Sequence, residues 1–215
     1  MTPRYRATLW DFGGVLTTSP FEAFAAYERD LGIPEGFIRS VNATNPDANA
    51  WARFERNELD LAGFDAAFAA EAEALGHRVA GHEVIARLAG ALRPEMVEAV
   101  RRCRAAGLVT GLLTNNVVAL DGPDGSGWSG PLDLTELFDV VVESAKEGVR
   151  KPEPAAYELA LARMGVAAEE TVFLDDLGIN LKPAKAMGMA TIKVVDPEAA
   201  LRELERLVGR PLRPA

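Results

Sequence analysis

The sequence predicts an α/β fold: a doubly wound parallel sheet with a helical block inserted near its start. Three observations carry this. Short apolar runs recur along the chain, helical patterns ending at glycines separate them, and one long stretch after the first run has no strand signal.

In chain order, Ala7–Trp10 is the first expected strand, and it runs straight into Asp11, Gly13 and Gly14 in the segment L-W-D-F-G-G-V-L. A carboxylate at the mouth of a strand, followed by residues that let the backbone approach a ligand, reads as a nucleophile site. From Ser19 to Arg93 the chain is rich in Ala, Glu and Phe, with helical runs near Phe21–Leu31, Trp51–Asn57 and Leu61–Leu75. This block is expected to form a cap over residues 19–93, hung on a core of residues 1–18 and 94–215, and to close over the site as a lid. Trp51, Phe54, Phe64 and Phe68 fall at helical spacing and are read as the block's own core.

The helix Pro94–Ala106 opens on proline and stops at Gly107, and the strand Leu108–Thr114 follows. Asp121–Pro131 (D-G-P-D-G-S-G-W-S-G-P) is loop in composition, with Trp128 the one large aromatic in it. Beyond it come strands Val140–Val142, Thr171–Leu174 and Ala190–Val195. Helices Pro154–Met164, Asn180–Met187 and Pro197–Val208 each stop at a glycine. Ligands of such sheets sit at the carboxyl ends of the strands. Asp11, Thr114 and Asp175 all fall at those ends, so one shared site is expected.

Bulk properties narrow the partners. In 215 residues, 48% hydrophobic content supplies a core, and the net charge of −9 argues against attraction to nucleic acid or anionic membranes. A small phosphorylated substrate stays open, because local fields and a bound cation decide that case. Cys103 is the only cysteine, which excludes a disulfide framework or a cysteine zinc site within the chain. His77 and His82, five residues apart around Gly81, do not share a helical face and are read as surface or packing residues. No apolar run nears the roughly 18 residues of a spanning helix, and no signal-peptide core is visible, so a cytoplasmic protein is expected.

Four segments carry the chemistry: D-F-G-G-V at Asp11, L-L-T-N-N ending at Asn116, V-R-K-P-E-P around Lys151, and F-L-D-D-L-G-I-N from Phe173 to Asn180. In this order and spacing they resemble the four motifs of the haloacid dehalogenase (HAD) superfamily, a Rossmann-like core with, here, a C1-type helical cap. Phe173–Met189 is similar to F-L-D-D-x-G-x-N-L-K-P-A-x-x-x-G-M of the phosphatase domain of soluble epoxide hydrolase and its free-standing bacterial relatives. The resemblance implies a Mg²⁺-dependent phosphatase in which Asp11 forms an aspartyl-phosphate. It implies metal ligation by Asp11, the Gly13 carbonyl and Asp176, with Asp175 supporting them. Thr114 and Asn115 would donate to phosphoryl oxygens, Lys151 would balance charge between nucleophile and phosphate, and Asn180 would orient the lysine or the acidic loop. The substrate would be a small phosphorylated metabolite or a lipid phosphate.

Gly13 departs from that pattern. Most phosphatases of the superfamily read D-x-D, and the second aspartate protonates the leaving group and then activates water. Such help is worth roughly 10²–10⁴ in rate. Three readings follow: substrates whose leaving group needs little protonation, a substitute acid from the cap or the Asp121–Asp124 loop, or a phosphate-compound binder with little turnover. A dehalogenase also lacks the second aspartate, but the likeness around Lys151 and the acidic pair disfavours it.

Overall fold

The computed structural model describes residues 4–88, 90–116 and 133–212. Five parallel strands, β1 (Ala7–Trp10), β2 (Val109–Thr114), β3 (Val140–Glu143), β4 (Thr171–Asp175) and β5 (Ala190–Lys193), form one sheet in the order β3-β2-β1-β4-β5. The chain builds outward from β1 to β2 and β3, then returns to the other side of β1 for β4 and β5. That reversal opens a crevice at the carboxyl ends of β1 and β4.

Alternation along the strands fills both faces. Trp10, Val172 and Leu174 point into one layer with Met96, Val100 and Leu204, while Leu9 and Phe173 point into the other with Tyr157, Ala160 and Ala184. The first layer is covered by α6 (Pro94–Ala105), α7 (Leu134–Leu137) and α11 (Pro197–Val208), and the second by α9 (Pro154–Met164) and α10 (Gly178–Ala186). The short α8 (Ser144–Glu147) follows β3 directly. The Asp121–Pro131 segment, with Trp128, lies outside the described residues.

Between β1 and α6 the chain forms α1 (Phe21–Leu31), α2 (Phe37–Ala43), α3 (Ala50–Glu55), α4 (Leu61–Ala74) and α5 (Gly81–Ile85). These share a third hydrophobic cluster in which Phe54 and Phe64 stack at 4.5 Å between ring centroids, with Phe68 and Trp51 against Phe64. The two connections to the sheet run side by side: Thr17 bridges Leu92, and the Arg93 N–H donates to the Leu16 carbonyl at 2.8 Å. Helix α3 is shorter than the sequence pattern indicates. The Asn49 side chain caps its start through the Ala52 N–H, and Asn57 at φ 59° ends the run in the left-handed region. Helices α2, α5, α7 and α8 span only four to seven residues, too few for a periodic signal. Among the described residues no helix is long and apolar enough to cross a membrane.

Candidate active site

Asp11 follows β1 directly, its N–H donating to the Leu174 carbonyl of β4 at 2.9 Å, which fixes the first acidic residue against the strand carrying the second. Lys151 sits in the loop before α9 and is 1% exposed. Its Nζ lies 2.7 Å from Asp11 Oδ1 and 2.7 Å from Asp175 Oδ2. The Phe12 N–H also donates to Asp11 Oδ1 at 2.7 Å. Asp175, fully buried, further accepts from Asn180 Nδ2 on both oxygens and from the Leu177 N–H at 2.8 Å. Asn180 is held in turn by its carbonyl, which accepts from the Tyr157 hydroxyl at 2.7 Å.

Asp11, Asp175 and Asp176 each offer a carboxylate oxygen within 4.8 Å of the others. Three carboxylates thus face one ammonium. Burial works against the Lys151 charge, but Asp11 and Asp175 outweigh it and push the ammonium's pKa up, so it stays protonated. Burial is also the largest influence on Asp11; with Asp175 and Asp176 opposing Lys151, the protein atoms alone push its carboxyl up to about 8. Burial and the charge on Asp175 push Asp176 up to about 6, with Lys151 and Arg93 opposing. A hard, oxygen-only donor set with surplus negative charge suits a divalent cation such as Mg²⁺.

A stability consequence follows. For Asp11 and Asp176 the folded-state pKa lies above the unfolded value near 3.8, so the folded protein binds more protons between about pH 4 and 8. These two groups therefore make the metal-free protein less stable as pH rises through that window. Melting scans in chelator should show Tm falling from about pH 5 to pH 8, with Mg²⁺ restoring more at the upper end. A Tm from these groups that rises with pH would contradict the surplus-charge account.

Gly14 is required by its position. At φ +74° it is in the left-handed region, and a Cβ there would lie 2.3 Å from Asp176 Oδ2. Gly14→Ala is expected to cost about 1–2 kcal/mol from the backbone alone, a Tm drop of about 2–8 °C, and to weaken divalent-cation binding by displacing Asp176. Calorimetry with and without Mg²⁺ checks both. At Gly13, by contrast, a Cβ would meet nothing within 4 Å. The Gly14 carbonyl accepts from Arg93 Nη1 at 2.7 Å, so the second connection to the helical block braces this loop.

The geometry brings Asp11, Lys151, Asp175, Asp176 and Asn180 together, and it sets Thr114 and Asn115 at the end of β2 beside them. Asn115 has partners other than those expected. Its Oδ1 accepts from the Lys151 N–H and its Nδ2 donates to the Lys151 carbonyl, both at 2.9 Å. Nδ2 also donates to Glu55 Oε2 at 3.1 Å. The amide is thus engaged with the lysine loop and α3. Glu55, Arg93 and Arg150 are polar participants that sequence reasoning missed. Glu55 sits in a plain amphipathic run, and only the adjacency of Arg150 to Lys151 offered any signal.

A buried lysine thus stands between acidic residues at the switch point of a parallel sheet. Residues 5–188 match the haloacid dehalogenase-like hydrolase family, and the chain belongs to it. It is 38% identical over 97% of its length to mouse (Mus musculus) acyl-CoA dehydrogenase family member 10, covering 20% of that protein. With pig (Sus scrofa) bifunctional epoxide hydrolase 2 it shares 32% identity over 95% of the chain and 39% of the relative. The chain therefore spans only about a fifth to two fifths of those two proteins. Sesquiterpene phosphatase astK of Aspergillus oryzae matches along its whole length, at 30% identity over 97% of the chain. Among solved structures, a HAD-family enzyme from Bacteroides thetaiotaomicron in complex with magnesium and inorganic phosphate superposes with a TM-score of 0.58. The identity is 20%, over 88% of this chain and 93% of that one, a likeness of fold.

Proposed function

We propose that the protein is a Mg²⁺-dependent phosphatase that acts through an aspartyl-phosphate on Asp11. The observation that carries the reading is the buried Lys151 ammonium shared at 2.7 Å by Asp11 and Asp175, with Asp176 alongside. The full-length similarity to a sesquiterpene phosphatase, and the magnesium and phosphate bound by a protein of the same fold, support it.

Both bonds to Asp11 from Lys151 and from the Phe12 N–H fall on Oδ1, so Oδ2 is the attacking oxygen. It bonds to phosphorus as the ester P–O bond breaks and the leaving oxygen departs with the electron pair. Water then attacks the same phosphorus, frees phosphate and returns the carboxylate. Lys151 offsets charge on Asp11 and on the phosphoryl oxygens throughout. The Thr114 hydroxyl donates to the phosphoryl group. Asp11, Asp176 and the Gly13 carbonyl would hold Mg²⁺, which supplies charge neutralisation for the transferring group, and Asp175 and Asn180 orient the lysine. Residues 19–93 act as a cap over a core of residues 1–18 and 94–215.

Glycine at position 13 brings no proton donor. Turnover is therefore fastest on substrates whose leaving group needs little protonation, such as acyl or anomeric sugar phosphates, and slow on alkyl monoesters, lipid phosphates included. Phosphate release from acetyl phosphate, p-nitrophenyl phosphate and simple alkyl phosphates, with Mg²⁺ or chelator, tests this. The kcat/KM values should require Mg²⁺ and fall steeply as leaving-group pKa rises. A flat dependence would sink the missing-acid argument. Halide release from 2-haloacids without Mg²⁺ would make the protein a dehalogenase, and phosphate binding without turnover would make it a binder.

A further inference from the structure

Helix α3 reaches from the helical block to the residue that pins Lys151. Glu55, at the last turn of α3 and 6% exposed, accepts from Asn115 Nδ2 at 3.1 Å and from Arg150 Nε at 2.5 Å on Oε2. Its Oε1 accepts from Trp51 Nε1 at 2.8 Å. An asparagine amide has two N–H donors and a carbonyl oxygen. In Asn115 one donor meets the Lys151 carbonyl, the other meets Glu55, and the oxygen takes the Lys151 N–H. A carboxylate accepts but cannot donate, so Glu55 requires the same end of the amide to carry nitrogen as the Lys151 main chain does. A flipped amide would set oxygen against oxygen at Glu55 and at the Lys151 carbonyl. Around this chain a second pair crosses the other way: Arg56 of the block donates to Glu153 at 3.0 Å, and Arg150 of the core donates to the Pro46 carbonyl at 3.1 Å.

We propose that Glu55 is a positioning residue: it fixes Lys151 through Asn115, so that seating of the helical block completes the site. The catalytic consequence rests on the phosphatase reading; the positional claim does not. The lysine main chain is held by two bonds from one amide, and that amide by one charge-assisted bond from another layer of the molecule. Displacements near 1 Å at a reacting centre cost about 10²-fold in rate. With acetyl phosphate as probe, Glu55→Ala should lower kcat by about 10–10²-fold and change KM by less than about threefold. Glu55→Gln keeps an oxygen for Asn115 and Arg150 but turns an N–H toward Trp51, so it should recover part of the loss. Asn115→Ala should lower kcat too, and adding Glu55→Ala to it should cost less than about twofold more, because the two act in series.

Hydrogen exchange at the Lys151 amide, which donates to Asn115, reads the positioning directly and needs no turnover. Glu55→Ala should speed it by about tenfold or more, while the amides of β4 stay unchanged. Arg150→Ala, which removes the clamp but leaves the Glu55–Asn115 bond, should speed it less. Unchanged exchange at Lys151 overturns the proposal, as does a lowered Tm with normal kcat, or kcat losses that multiply in the double variant. If Glu55→Ala fails to fold, Glu55→Gln carries the same exchange test, with an intermediate rate expected and an unchanged one contradictory. A wild-type protein that releases no phosphate, yet shows the exchange effect, sinks the phosphatase reading and leaves the positioning intact.

Discussion

Asp11→Asn is expected to remove phosphate release altogether, a loss of at least about 10³-fold, while leaving the fold at least as stable in chelator. The amide keeps the size of the side chain but cannot supply an anionic oxygen to phosphorus. It also takes one negative charge from a site where three carboxylates face a single ammonium. Lys151 keeps Asp175 at 2.7 Å, so its buried charge is not orphaned. Lys151→Ala differs in this respect: it leaves buried carboxylates with no cation, a situation that typically costs about 3–5 kcal/mol. Phosphate-release assays and calorimetry on purified Asp11→Asn separate the two effects. Retained turnover would remove Asp11 from the chemistry.

Gly13→Asp is expected to raise turnover of alkyl monoesters by about 10–10²-fold, the lower part of the range for general acid–base help. The kcat/KM for acetyl phosphate, set by the first step, should change little because its leaving group needs no proton, while its kcat should rise as the new carboxylate activates water for the second step. The structural ground is that a Cβ at Gly13 meets nothing within 4 Å, and its backbone is not in the left-handed region. Gly14 next to it is the opposite case, since Asp176 occupies the space a side chain would need. Comparing kcat/KM across the two substrate classes gives the answer. No gain in a folded variant would mean that another group already moves the proton.

Much of the core was legible in the sequence, because buried parallel strands and glycine-stopped helices leave strong local signals. The five expected strands match β1 to β5 within one or two residues, and the strand-end logic brought Asp11, Thr114 and Asp175 to one edge. Asp175 shows where the reading thinned. Two adjacent aspartates look alike in a sequence, but one is fully buried on Lys151 and Asn180 while the other stands against Gly14. Glu55 was not legible at all. Its role depends on the packing of α3 against the loop at Arg150, a contact 95 residues apart along the chain that no local pattern encodes. Asn115 was legible in part: its position at the end of β2 was clear, but its bonds to the Lys151 main chain are set by tertiary geometry.

The most direct test of the account is to find the phosphoryl group on the enzyme. Protein mixed with excess acetyl phosphate and Mg²⁺, quenched in acid after a few turnovers and digested, should yield a peptide heavier by one phosphoryl group, with fragmentation placing it on Asp11. Because no side chain at position 13 activates water for the second step, the adduct should accumulate in the wild type, and it should be absent in Asp11→Asn. Phosphate release with no adduct on Asp11, or with the group on another residue, would contradict the account.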